Sequence, residues 1–157
     1  MKTLVIGLGN PILGDDGVGW QVAQEVERHL LAHTSPAFIV VECLSLGGIS
    51  LMETMVGWQR VILVDALDSG QHRQGEVVTF SLDSVEEVAG GHSGSVHDLS
   101  LKNALKLGRS LGADLPRDED IQIVAIEARN VFDFDESLSP VIAAAVPEAA
   151  RVVMSFL

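Results

Sequence analysis

The sequence predicts an α/β protein, a three-layer α/β/α sandwich built on a mostly parallel sheet of five strands. Short apolar runs alternate with helical patterns along all 157 residues, and no repeat or linker-like stretch interrupts them. Residues 61–64 are apolar at every position, as a central parallel strand must be when helices cover both faces of the sheet. We therefore expect one domain that spans residues 1–157.

The strands are predicted from apolar runs that are bounded by turn residues. The predicted ranges are 3–6, 37–41, 60–64, 76–80 and 121–126. The fourth run, residues 76–80, is more polar than the others and follows a short turn. This pattern predicts an antiparallel strand at one edge of the sheet.

Helices are predicted where apolar residues recur every three or four positions. The first such face comprises Gly19, Val22, Ala23, Val26 and Leu30. The second comprises Leu101, Ala104, Leu105, Gly108 and Leu111. Ser139 followed by Pro140 predicts the start of a C-terminal helix that continues through Val153. We expect Pro147 to bend or restart that helix, because proline in a helix interior costs about 3 kcal/mol.

The composition excludes several functional classes. Ten Lys and Arg residues stand against 22 Asp and Glu residues, and the net charge of −12 disfavours nucleic acid as a partner. No apolar run reaches the roughly 18 residues that a membrane-spanning helix needs. The first residues enter a strand-like run directly, without the apolar core of a signal peptide. We expect a cytoplasmic monomer that binds neither nucleic acid nor membranes.

Three polar residues lie next to predicted elements at positions typical of a binding site. Asp16 lies between the first strand and the first helix, and Asp65 directly follows the third strand. His97 lies at the start of the helix that follows the fourth strand. Each has an ordinary structural explanation as well, because acids cap helices and form turns, and single histidines are common on surfaces.

A metal site explains the three residues together. Binding sites of α/β sheets lie at the carboxyl ends of the strands, so folding could bring Asp16, Asp65 and His97 together there. Two carboxylates and an imidazole form a partial shell for a divalent first-row metal and leave positions open for other ligands. We therefore predict that these residues bind a metal that arrives with the substrate, and that both carboxylates are exposed at the rim of the sheet.

Other common chemistries find little support in the sequence. The loop after the first strand is not a dinucleotide-binding fingerprint, because the third glycine falls at Ile12 and Pro11 lacks an amide. The single cysteine, Cys43, excludes an internal disulfide and a thiolate metal cage, and we expect it to be a packing residue. The common zinc-protease and serine-hydrolase motifs are also absent from the sequence.

Four ordered motifs resemble those of the nickel-iron hydrogenase maturation endopeptidases. The motifs are the Gly- and Asp-rich loop of residues 7–19, Val64-Asp65-Ala66, the Ser95-x-His97 pair, and Leu138-Ser139-Pro140. The resemblance covers nearly the whole chain and implies a single hydrogenase maturation peptidase domain with a twisted five-stranded sheet. It also implies that Asp16, Asp65 and His97 serve as catalytic residues that contact the nickel of a hydrogenase large-subunit precursor. The enzyme would then remove a short C-terminal peptide from that precursor.

The resemblance further implies that the precursor supplies the nickel, which the free enzyme does not hold tightly. Many relatives carry an Asp-Gly-Gly-Thr-like stretch after the second strand, whereas this chain differs over residues 43–49, a loop we expect to touch the precursor. Two alternatives stay open. One is a non-catalytic nickel-binding maturation chaperone with the same ligands. The other is a peptidyl-tRNA hydrolase, whose opening motif resembles residues 7–11, although its catalytic histidine would fall at Gly19 or Trp20.

Overall fold

The computed structural model describes residues 1–32, 38–85 and 96–157 and, at residues 96–99, the backbone alone. Within these ranges five strands form one sheet in the order β2-β1-β3-β5-β4. The strands are β1 Lys2–Leu8, β2 Phe38–Leu44, β3 Arg60–Leu67, β4 Val77–Ser81 and β5 Ile121–Glu127. All neighbouring strands are parallel except β4, which is antiparallel to β5. The prediction of one antiparallel edge strand is therefore confirmed.

Helices cover both faces of the sheet. Within the described ranges they are α1 Val18–Ala32, α2 Gly48–Thr54, α3 Val96–Ser110 and α4 Pro140–Ser155. Helices α1 and α4 pack together on one face, over a buried layer that includes Val5, Ile62 and Val124. Helices α2 and α3 pack together on the other face, over a layer that includes Ile6 and Leu63. The observed fold is the predicted α/β/α sandwich.

Two helices differ from the sequence prediction, and one predicted strand residue is not described by the structure. Helix α2 was not predicted, because its 7 residues are too few to show a repeating apolar face. Helix α4 continues through Pro147 without restarting, since its buried face extends on both sides of the proline, from Ile142 to Val153. Ala37, the predicted first residue of the second strand, lies outside the described residues.

Membrane-spanning helices are not found in the described part of the chain. None of its helices combines the length and the apolar character needed to cross a bilayer.

Close backbone contact fixes the start of α1 against the sheet. A Cβ atom on Gly19 would lie 2.2 Å from the carbonyl oxygen of Leu8 and 2.5 Å from that of Val64. A Cβ atom on Gly7 would lie 2.3 Å from the carbonyl oxygen of Gly19. A side chain at either glycine would therefore push α1 away from the carboxyl ends of β1 and β3.

A buried carboxylate joins the start of α1 to the start of α4. Asp15, fully buried in the 3-10 turn Gly14–Gly17, accepts hydrogen bonds from the Ser139 amide at 2.7 Å and the Ser139 hydroxyl at 2.8 Å. Ser139 occupies the predicted N-cap position of α4, but its hydroxyl donates to Asp15 instead of capping the helix. The Asp15 amide donates to the Asn130 carbonyl at 2.9 Å. Asp15 therefore acts as a clamp between two distant segments.

Replacing Asp15 tests this clamp. The Asp15→Asn variant should lower the free energy of unfolding by about 1–3 kcal/mol, because one of the two Ser139 donors loses its acceptor at a fully buried side chain. The Ser139→Ala variant should lower it by about 1 kcal/mol. Urea unfolding followed by circular dichroism would measure both. The exposed Asp133→Asn is the matched control and should stay within about 0.5 kcal/mol of wild type. An Asp15→Asn protein with the wild-type midpoint would contradict the clamp.

Candidate active site

Asp16 lies in the 3-10 turn between β1 and α1, where its side chain is half-buried. Its Oδ2 atom accepts a hydrogen bond from the Asn10 amide at 2.7 Å. The Asp16 backbone packs against Gly9, where a Cβ atom would lie only 1.9 Å from the Asp16 carbonyl oxygen. Gly9 also has a φ of +132°, which L residues with a side chain rarely adopt. The loop after β1 therefore holds Asp16 in a defined position.

The same loop is tied to the end of β2. The Gly9 amide donates to the Leu44 carbonyl at 3.2 Å, and the Trp20 Nε1 group donates to the same carbonyl at 3.2 Å. The Ser45 hydroxyl donates to the Gly9 carbonyl at 2.5 Å. Hydrogen bonds from β2, α1 and the loop itself thus converge beside Asp16, so the loop is a braced part of the fold.

Asp65 lies near the carboxyl end of β3, directly after the apolar residues 61–64. Its side chain is 7% exposed, so the prediction of an exposed rim carboxylate is wrong for this residue. The reason is the alternation of side chains along a strand, which places Asp65 on the same face as Val61 and Leu63, under α2 and α3. Its Oδ1 atom accepts a hydrogen bond from the Ala66 amide at 2.8 Å.

The fold brings the segments that carry Asp16 and Asp65 into contact. Strands β1 and β3 are neighbours, and Gly7 pairs with Val64, the residue before Asp65. Cα atoms of the turn Gly14–Gly17 lie within 8 Å of Cα atoms of β3. The two acids therefore lie at the same carboxyl edge of the sheet, although 49 positions separate them in the sequence (65 − 16).

His97 lies in the first turn of α3, and its side chain belongs to the part of the chain that is not described. Helix α3 passes close to the start of α2 at Ser100. A Cβ atom added to Gly48 would lie 3.0 Å from the Ser100 hydroxyl oxygen. Gly48 opens α2 shortly after β2 ends at the carboxyl edge. The N-terminal part of α3 therefore approaches the edge that carries Asp16 and Asp65. Convergence of the three side chains stays a prediction.

The described side chains alone do not form a complete metal site. The side chain of His97 is not among the described ones. Among those that are described, no group of three His, Cys, Asp or Glu residues is placed to hold a metal ion. Asp16 and Asp65 would supply two carboxylates, and a four-coordinate metal would need further ligands from elsewhere. This donor set fits a metal that brings ligands of its own.

Another buried acid, Glu127, lies at the carboxyl end of β5. Its carboxylate accepts hydrogen bonds from the Ser69 amide at 3.1 Å, the Ser69 hydroxyl at 2.7 Å and the Gly70 amide at 2.7 Å. In the sheet it pairs with Leu67, two residues after Asp65. Glu127 thus fixes the loop that leaves β3. Sequence reasoning missed this residue, although an acid that ends an apolar strand is the same signal that identified Asp65.

Cys43 is not suited to act as a nucleophile. It is half-buried near the end of β2, and its thiol donates to the Trp20 carbonyl with an Sγ–O distance of 3.8 Å. Burial raises the pKa of the Cys43 thiol, and the negative charge of Glu27 raises it further. A raised pKa lowers the fraction of thiolate at neutral pH, and the thiolate is the nucleophilic form.

Two solved structures with this architecture are of hydrogenase maturation enzymes. The hydrogenase maturating endopeptidase HybD from E. coli is 25% identical, with a TM-score of 0.75, and the match covers 100% of this chain and 92% of that one. The [NiFe] hydrogenase maturation protease HybD from Thermococcus kodakarensis is also 25% identical, with a TM-score of 0.75 and coverage of 99% of both chains.

Sequence comparisons give the same result. The hydrogenase expression/formation protein HupD from Thiocapsa roseopersicina is 26% identical over 158 residues, which cover 99% of this chain and 67% of that protein. A family model described as HycI, hydrogenase maturation protease, matches residues 20–156. Because this model matches most of the sequence, the chain belongs to the hydrogenase maturation protease family.

Proposed function

We propose that this chain removes the C-terminal extension of a nickel-loaded hydrogenase large-subunit precursor and recognises the nickel through Asp16, Asp65 and His97. Membership of the hydrogenase maturation protease family identifies it as a peptide-bond hydrolase. The observation that carries the site assignment is the contact of the Asp16 turn with β3, the strand of Asp65. The approach of α3 to the same edge supports His97 as the third contact.

Recognition of the metal would position the scissile bond. The precursor holds nickel by its own thiolates in this proposal, and the enzyme completes the shell with two carboxylates and one imidazole. Asp16 and Asp65 belong to a braced loop and a central strand, so their positions change little when the precursor docks. Fixed positioning of reacting groups can lower a barrier by about 7–11 kcal/mol.

The hydrolytic step itself adds water to the carbonyl carbon of the scissile bond. The C–N bond then breaks, and the amine of the released peptide takes up a proton. The substrate's nickel can assist in two ways, by polarising the carbonyl oxygen or by lowering the pKa of an attacking water. Both roles need the metal beside the scissile bond, which is the placement that the three enzyme residues would provide.

The family result also decides between the alternatives from sequence. A non-catalytic chaperone disagrees with a family whose model is described as a protease. A peptidyl-tRNA hydrolase disagrees with the same match, and a net charge of −12 is unfavourable for binding RNA. We propose that the enzyme acts as a cytoplasmic monomer with a single maturation peptidase domain over residues 1–157.

Neutral substitutions of the two acids test the site. Asp16→Asn and Asp65→Asn should each reduce processing at least about a hundredfold, because each removes an anionic contact to the metal that positions the substrate. Mass spectrometry of the precursor would follow cleavage, and thermal unfolding would follow stability. Asp68→Asn, an exposed acid three residues after Asp65, is the matched control and should process normally. If the folded fraction of Asp65→Asn cleaves like wild type, Asp65 has only a structural role.

Nickel in the precursor should be required for cleavage. The enzyme residues form an incomplete shell, so the free enzyme should purify largely without metal, and only the loaded precursor should fit the site. Matched nickel-loaded and nickel-free precursors would be incubated with one stock of enzyme. His97→Ala should reduce cleavage more than it reduces binding of the precursor, because it removes one contact to the metal. Equal cleavage of the two precursors would rule out metal recognition.

Cys43 should be dispensable for catalysis. The Cys43→Ser variant should process the precursor at a rate within about twofold of wild type, because its raised thiol pKa leaves little thiolate at neutral pH. Alkylation by iodoacetamide, followed by intact-mass measurement, should be slower at pH 7 than for a small free thiol. The rate should increase as the pH rises. Complete loss of cleavage in a folded Cys43→Ser protein would establish a covalent role instead.

A further inference from the structure

We propose that residues 131–136, here called the aromatic-acidic ribbon, form a docking surface for a stretch of the precursor that carries Lys or Arg beside apolar residues. The sequence of the ribbon is Val131, Phe132, Asp133, Phe134, Asp135 and Glu136. The proposal rests on the proposed function, because it names the surface that would hold the protein substrate next to the active site.

The ribbon exposes two aromatic side chains from a well-anchored backbone. Phe132 is 79% exposed and Phe134 is 85% exposed, whereas Val131 is buried in the core. The amide of Asp135 donates to the Ile12 carbonyl at 3.1 Å, and its carbonyl accepts from the Gly14 amide at 2.7 Å. Two exposed phenyl rings on a fixed segment offer a large apolar area, of the kind that anchors protein interfaces.

The charge of the ribbon determines the chemistry of its partner. Asp133, Asp135 and Glu136 are exposed, and neither Asp133 nor Glu136 forms an ion pair with a described Lys, Arg or His. The exposed Arg129 is the one basic residue close to the ribbon in sequence. Acids that alternate with aromatic rings favour a Lys or Arg side chain. Its charged group can pair with a carboxylate, and its alkyl chain can pack on a phenyl ring or its charge can lie over the ring face. An anionic partner would be repelled.

The ribbon lies directly beside the candidate active site. Its hydrogen bonds to Ile12 and Gly14 join it to the loop that carries Asp16. The carbonyl of Asn130, just before the ribbon, accepts the Asp15 amide at 2.9 Å. A cationic apolar segment seated on the ribbon would therefore be held next to the turn of Asp16. Such a contact supplies binding energy away from the reacting bond and leaves the chemistry to the site residues.

Peptide binding tests the ribbon independently of proteolysis. The probe is a fluorescein-labelled synthetic peptide of alternating Arg and Leu, and its partner peptide has Glu in place of Arg. Phe132→Ser/Phe134→Ser should weaken binding of the Arg-Leu peptide about tenfold or more. Asp133→Asn/Glu136→Gln should weaken it and reduce its dependence on salt, because opposite charges no longer meet. The Glu-Leu peptide should bind poorly to every form of the enzyme.

Matched controls remove two exposed apolar side chains and two acidic charges from other surfaces. Leu31→Ser/Leu111→Ser alters two exposed apolar residues, and Glu53→Gln/Asp114→Asn alters two exposed acids. Both controls should bind the Arg-Leu peptide like wild type. Ribbon variants that bind it as tightly as these controls would overturn the proposal, as would equal binding of the two peptides by the wild-type enzyme.

Cleavage of the nickel-loaded precursor supplies the second readout. The ribbon variants should raise KM about tenfold and leave kcat within about twofold of wild type, whereas Asp16→Asn should lower kcat. An unchanged KM in the ribbon variants would show that the precursor does not use this surface. If the wild-type enzyme fails to cleave the precursor, the proposed function fails, and the peptide titration still decides whether the ribbon binds cationic apolar segments.

Discussion

The close backbone contact between α1 and the carboxyl ends of β1 and β3 is the constraint on which the site depends. Gly7 and Gly19 permit it, because any Cβ atom there would meet a carbonyl oxygen at 2.2–2.5 Å. Asp16 lies three residues before Gly19, and Asp65 follows Val64, whose carbonyl Gly19 touches. The contact therefore sets the relative positions of the turn and the strand that carry the candidate ligands.

Acids at this edge of the sheet fall into two groups with different surroundings. Asp15 and Glu127 are fully buried, and serine and backbone donors from distant segments occupy their oxygens. A carboxylate engaged in this way would have to give up these hydrogen bonds before it could bind a metal, which is unfavourable. Asp16 accepts a hydrogen bond from the amide of Asn10, and Asp65 accepts one from the amide of Ala66. Asp15 and Glu127 therefore brace the frame of the site, and Asp16 and Asp65 stay the candidate contacts to the metal.

The fold class was predictable, because alternating apolar runs and helical faces report directly on local burial. Features that depend on long-range contact were not. The bond from Ser139 to Asp15 joins residues 124 positions apart, and no sequence periodicity encodes it. The burial of Asp65 follows from which helices cover its face, which the strand pattern alone does not reveal. Glu127 could have been found, since it ends β5 as Asp65 ends the apolar run of β3.

Asp15 and Asp16 are neighbours of identical chemistry in unlike environments, and this affects which substitutions each can accept during evolution. At position 16 the side chain is half-buried, so a glutamate there can change its rotamer without entering the core. At position 15 the extra methylene would have to enter a fully packed space between two helices. A variant library selected only for folding should therefore lose diversity at position 15, whereas one selected for hydrogenase maturation should lose it at both.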